Sequence, residues 1–155
     1  MNRIFRILMY LKHHLTAWHT GGEGIHSPRL FHIVRHILYD DNAYYAWQPI
    51  ETERRRLLRR QDRLVVTDYG GLSPDEAPRR YTRPVADIAA TSLASPKEAQ
   101  LLFRLAHYLR QRLTENGVKE MSVVELGTNL GITTAYLAQA VPSARIQTYE
   151  GSPSL

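Results

Sequence analysis

Cysteine is absent from the 155 residues, which excludes disulfide bridges, thiolate nucleophiles and cysteine-ligated zinc. Long apolar runs are missing as well. Met1 to Leu15 is too short for a membrane span and is interrupted by Arg6 and Lys12, and no small-residue cleavage site follows it. Neither a span nor a signal peptide is expected, which leaves the cytoplasm as the default location. The close glycine pair of G-x-G-x-x-G is missing too, and with it the usual seat of a dinucleotide pyrophosphate. His32 and His36 stand four apart, as two zinc ligands would, but Ile33, Val34 and Arg35 between them lack the glutamate of H-E-x-x-H, so metal binding is not expected. There is no internal repeat and no low-complexity tract. A 43% hydrophobic content remains, enough for one domain with a core of its own.

The segment with most chemistry in it lies near the end of the chain. Ser122 to Leu126 has the apolar character of a buried parallel strand, and Gly127 and Gly131 bracket a turn. Ile132 to Ala140 then has helical character, and Pro142 prevents its continuation. Arg145 to Tyr149 forms a second strand and ends at Glu150. Strand, glycine turn, helix, strand and acid form a βαβ unit of the kind that cradles a nucleotide, with the acid placed to accept two hydrogen bonds from a ribose. Glu125, two residues before the first glycine, would repel a pyrophosphate and attract a cation.

Glu125-Leu-Gly-Thr-Asn-Leu-Gly131 together with Ile146-Gln-Thr-Tyr-Glu150 resembles the first two motifs of class I S-adenosylmethionine-dependent methyltransferases. Ser95-Pro-Lys-Glu-Ala-Gln-Leu-Leu102, leading by a helix into the glycine turn, is similar to the catechol and caffeoyl-CoA type O-methyltransferases within that class. The resemblance covers residues 92–151, and His26-Ser-Pro28 and Pro49-Ile-Glu51 look like segments of bacterial members of the same superfamily. It implies a Rossmann-like domain that binds S-adenosylmethionine. Glu125 would face the methionine ammonium, Gly127, Thr128, Asn129 and Gly131 would line the methionine and ribose, and Glu150 would hold the ribose hydroxyls. Ser92 and Ser95 would be cofactor neighbours. In relatives the metal ligands and catalytic base lie further along than Leu155, so no catalytic residue is assigned. The 155 residues alone are expected to be inactive, as a fragment, a short product, or a chain completed by a partner such as a second copy. The methyl acceptor is expected to be a small molecule.

Charge divides the chain unevenly. Residues 1–83 hold 14 Lys+Arg against 9 Asp+Glu, and residues 84–155 hold 6 against 6. With a loop rich in glycine, proline and charge from Gly70 to Pro84, this suggests a mainly helical accessory region over 1–83 and the start of the Rossmann-like domain over 84–155. Ile4, Ile7, Leu8, Leu11 and Leu15 recur at helical spacing among Arg3, Arg6, Lys12, His13 and His14, giving a basic amphipathic helix. Its apolar stripe is expected to pack on its own domain, with an anionic membrane surface or RNA as the alternatives. Ser27 and Pro28 open a second helix, whose face of Leu30, Phe31, Val34, Ile37 and Leu38 is expected to face the core. A third helix, from about Ile50 to Gln61, allows Glu51 to pair with Arg55 and carries Arg54, Arg55, Arg56, Arg59 and Arg60, with Arg63 just beyond.

Those arginines admit RNA phosphates, and Tyr44, Tyr45 and Trp47 admit stacked bases or an aromatic substrate. Leu64 to Gly71 mimics a cofactor loop, but Pro74 and Pro78 prevent a crossover helix, so a hairpin or surface loop is expected. Val85 to Thr91 reads as a short helix. Ser95-Pro-Lys-Glu98 is a capping box that opens a longer one, reaching about Leu113 and closed by Gly117. Two alternatives to methyl transfer stand beside it: a basic nucleic-acid-binding module, and part of an NAD(P)-dependent enzyme.

Overall fold

The computed structural model describes residues 3–16, 24–70 and 77–155. It is a mixed α/β chain with two small sheets, and its backbone divides into two compact units, 1–41 and 42–155. The charge boundary at 83/84 therefore falls inside the second unit, because the third helix and the following hairpin join the same body as the βαβ segment.

The first unit contains helix α1, Arg3–Thr16, and helix α2, Pro28–Ile33, which runs on as a π-helical turn, Val34–Leu38. Ser27 caps α2 through its hydroxyl, which accepts from Leu30 N at 3.5 Å, and Pro28 occupies the first helical position. No residue of α1 is buried, so its stripe, expected to pack on its own domain, is exposed. The predicted core face of α2 fails in part as well. Ile37 is buried, but Leu30, Phe31 and Leu38 are exposed. The π turn contributes to this, since i to i+5 bonding rotates the later side chains off the 3.6-residue stripe.

The second unit starts with helix α3, Trp47–Leu57. It begins three residues earlier than its sequence suggests, because Pro49 lies in the first turn, where a missing N–H costs nothing. It also ends earlier: Arg59 N and Arg60 N bond to Arg56 O and Leu57 O, a tight turn that leaves the α-helical path. Strands β1, Arg63–Asp68, and β2, Arg79–Pro84, then pair antiparallel, with Arg63 opposite Pro84 and Asp68 opposite Arg79. The expected hairpin is present, but Arg79 to Pro84 is strand rather than loop. Pro84 is accommodated because it stands at the strand's last position.

Helices α4, Val85–Ser92, and α5, Pro96–Glu115, follow. Both halves of the capping box at α5 are made: Ser95 N donates to Glu98 Oε2 at 2.7 Å, and Ser95 Oγ accepts from Glu98 N at 3.3 Å. At the other end Gly117, at φ +79°, allows Val118 N to reach Leu113 O and Gly117 N to reach Thr114 O, a paired closure of the last carbonyls. Strand β3, Ser122–Leu126, helix α6, Ile132–Ala140, and strand β4, Arg145–Tyr149, complete the chain. β3 and β4 pair in parallel, Val123 opposite Ile146 and Glu125 opposite Thr148. The core joins α3, α4, α5 and α6. Trp47, Phe103 and Tyr136 meet edge to face or tilted at centroid distances of 5.6 to 6.5 Å, and Ala99, Ala106 and Ala140 are buried with them in the same cluster.

Candidate functional site

Alternation along a strand places Val123 and Glu125 on one face of β3 and Ser122, Val124 and Leu126 on the other. The first face points toward α6, so a carboxylate arrives at the turn already half-enclosed. Glu125 Oε2 accepts from Thr134 Oγ1 on α6 and from Thr148 Oγ1, its register partner on β4, the latter at 2.9 Å. Thr128 Oγ1 in turn bonds to Thr148 Oγ1. Both threonine contacts go to one carboxylate oxygen.

The turn that follows is built on positive φ. Gly127 lies at +89°, Asn129 at +50° and Gly131 at +75°. These angles, rather than crowding, are why glycine is needed at 127 and 131: a Cβ at either would meet nothing within 4 Å. Open space thus lies in front of both glycines. Gly127 N and Thr128 N donate to Tyr149 O at 2.8 and 3.2 Å, and Gly131 N to Thr128 O at 2.9 Å, so the loop holds its own shape. Gly131 stands at the N-cap of α6 and supplies no side-chain cap.

Glu150 closes the other side. Its Oε2 accepts from Asn129 N at 2.8 Å and its Oε1 from Ser152 N at 2.9 Å. Two carboxylate oxygens offer about four acceptor positions, so these two bonds orient the group and leave lone pairs facing solvent. Asn129 Oδ1 is buried with no hydrogen-bond partner. Glu125, Gly127, Thr128, Asn129, Gly131 and Glu150 therefore belong to one turn tied by a continuous set of hydrogen bonds. Ser92 and Ser95 do not join it. Ser95 is consumed by the helix cap, and Ser92 Oγ bonds with Thr91 Oγ1 at 3.4 Å.

Thr134, Thr148 and Ser152 went unnoticed in the sequence. Thr148 was within reach of sequence reasoning, since pairing the two strands in parallel puts it opposite Glu125. Ser152 carried no such signal. It is 2% exposed and its Oγ accepts from Thr67 N at 3.0 Å, a link across 85 residues that ties the β1 hairpin to the segment after Glu150.

The arginine cluster splits into two groups. Arg54 is buried at 6% exposure. Its Nε donates to both oxygens of Glu51 at 2.9 and 3.1 Å, and its Nη1 donates to Ala94 O at 2.5 Å. The partner of Glu51 is therefore Arg54, three residues on, and not Arg55. Arg54 is withdrawn from the phosphate-contacting set, because its guanidinium is a strut between α3 and the start of α5. Arg55, Arg56, Arg59 and Arg60 remain exposed and line an open groove of ≈ 550 Å³ with Thr52. Arg56 reaches Glu53 at 3.6 Å and Arg60 reaches Asp62 at 2.6 Å.

The aromatic residues divide in the same way. Tyr44 packs tilted on Trp47 and edge-on to Phe103 at 4.7 and 5.1 Å, whereas Tyr45 is 94% exposed. Among the described residues, no helix is long and apolar enough to cross a membrane. Compared with protein-family models, curated proteins and solved structures, this chain matches none.

Proposed function

We propose that residues 122–151 form the cofactor cradle of an S-adenosylmethionine-dependent methyltransferase of Rossmann-like architecture. The observation that carries this reading is the polarity of the turn. Its side chains present acceptors: the Glu125 carboxylate, the orphaned Asn129 Oδ1 and the Glu150 carboxylate. A ligand with a cationic amine and hydroxyl donors suits that set. A pyrophosphate does not, which counts against an NAD(P) site.

Glu125 would hold the ammonium of the methionine part, its orientation fixed by Thr134 and Thr148. Asn129 Oδ1 would accept from a donor of the bound cofactor, and Glu150, held by Asn129 N and Ser152 N, would accept from the ribose hydroxyls. The open space before Gly127 and Gly131 would admit the ligand against the backbone. When bound, S-adenosylmethionine supplies an electrophilic methyl group, and the chain's contribution is to bind it in one orientation.

Titration calorimetry with S-adenosylhomocysteine tests the reading. Binding should weaken roughly 10- to 100-fold in Glu150→Ala and in Glu125→Ala, as expected for loss of charge-assisted hydrogen bonds. Equal affinity for NAD(P) in the same cell, or indifference of a folded chain to both cofactors, would remove the proposal.

A second reading is favoured by the arginine groove. Arg55 and Arg56 lie at the end of α3 and Arg59 and Arg60 in the tight turn beyond it, all four lining one groove, and the exposed Tyr45 lies two residues before the same helix. Such a surface suits the phosphates and one base of a single-stranded nucleic acid. It requires salt-dependent RNA binding that is lost on reversing Arg55, Arg56 and Arg59 to glutamate and is untouched by Glu125→Ala.

A further inference from the structure

Helix α1 is exposed along its whole length. Its fourteen residues include none that is buried, and Ile4, Ile7, Leu8, Leu11 and Leu15 are 49 to 81% exposed. At 100° per residue these five fall within one stripe. Arg6 and His13 occupy the opposite side, and Arg3 and Lys12 flank the stripe on its two sides, where their long stems can lie along apolar surface while the charged heads reach outward. Tyr10 stacks on His14 at 5.6 Å and 16°, a polar-tipped ring at the boundary between the two faces. Not one residue of the helix is acidic.

Whatever covers this stripe has to be apolar where the leucines lie and anionic at the rim. RNA meets the second condition and not the first. A second copy of α1 meets the first, but it would bring the flanking Arg3 and Lys12 against like charges with no carboxylate in either helix to offset them. The interface of a bilayer containing anionic phospholipid meets both. At about 21 Å the helix is too short to cross a hydrocarbon core of roughly 30 Å.

We infer that α1 is an interfacial anchor that lies in the plane of an anionic membrane surface, its leucine and isoleucine stripe inserted at the headgroup boundary and the flanking Arg3 and Lys12 against the phosphates. This places the chain at a lipid surface independently of the cofactor read into the glycine turn, since the two features share no residue.

Sedimentation of the whole chain with phosphatidylglycerol-containing vesicles, and with vesicles of phosphatidylcholine alone, tests the inference. Partition should be roughly thirtyfold stronger on the anionic vesicles, given two cations each worth about 1 kcal/mol near such a surface, and should fall as salt is raised. Leu8→Glu combined with Leu11→Glu should abolish it, since glutamate keeps helix propensity while removing the apolar stripe. Arg3→Glu combined with Lys12→Glu should remove the preference for anionic lipid, and circular dichroism should show both variants folded. Absence of sedimentation with either vesicle, equal partition onto both, or full binding by the Leu8 and Leu11 variant would overturn the proposal. So would a concentration-dependent dimer of the parent chain that this variant abolishes, because the stripe would then belong to a second copy.

Discussion

Tyr136 is completely buried, and its hydroxyl donates to Glu51 Oε1 at 2.8 Å, the oxygen that also receives Arg54 Nε. Burial and the neighbouring carboxylate push the phenol from its ordinary value of 10.0 up to about 12. The unfolded chain therefore loses this proton near pH 10, while the folded chain keeps it to about pH 12. Between those values the native state binds more protons, so stability falls as pH rises, and the contribution is fully present only below the unfolded pKa. Tyr136→Phe should flatten the part of the decline in urea midpoint over that interval that comes from this residue. Near neutrality it should cost about 1.5 kcal/mol for the lost bond to a charged acceptor, with Glu51 still held by Arg54. A midpoint that declines identically in parent and variant would show that Tyr136 titrates normally. At the turn, Gly131 at φ +75° has open space around it, so Gly131→Ala should lose about 1 kcal/mol from backbone strain alone. Thermal melting checks this, and a loss several times larger would point to a clash that the surroundings do not contain. The arginines teach the same lesson at this scale: six look equivalent in the sequence, and Arg54 alone is taken inward, because the third residue after Glu51 on α3 faces Ala94.

Most elements were legible because their ends carry local chemistry. Ser27-Pro28, Ser95-Pro96 with Glu98, Gly117 and Pro142 each fix a boundary through hydrogen bonds or φ within a few residues, and the helices next to them lie where these signals put them. Where no such signal exists, the reading drifted. The strand Arg79–Pro84 is rich in charge and ends in proline, so it resembled a loop, and its pairing with β1 is decided by a partner some sixteen residues away. Faces were harder than elements. A parallel pair is ordinarily covered on both sides, yet Val124, Leu126 and Tyr149 on one face of β3 and β4 are 60, 82 and 56% exposed. Among the described residues each of these strands has one neighbour. An apolar sheet surface with free edges invites association. Val124→Lys with Leu126→Lys should lower concentration-dependent light scattering and leave circular dichroism unchanged. Scattering that persists would assign the association to another surface.

At the scale of the molecule, the buried apolar cluster draws, among the described residues, on Tyr44 to Ile146, inside the second compact unit. A chain of residues 42–155 should therefore unfold cooperatively, with a urea midpoint close to that of the parent. A loss of the transition would show that the first unit contributes to the core. By itself the sequence determined most of the secondary elements, the order strand, glycine turn, helix, strand and acid, and the basic amphipathic character of α1, because each depends on neighbours a few residues apart. Only the tertiary structure decided which of those features come together. It paired Glu125 with Thr134 and Thr148, used Ser152 to join the hairpin to the end of the βαβ unit, buried Arg54 while leaving Arg55, Arg56, Arg59 and Arg60 outside, and left the stripe of α1 uncovered. The physical reason is that periodicity states which residues share a face, whereas what meets that face depends on contacts between residues far apart in the chain, about which local propensity carries no information.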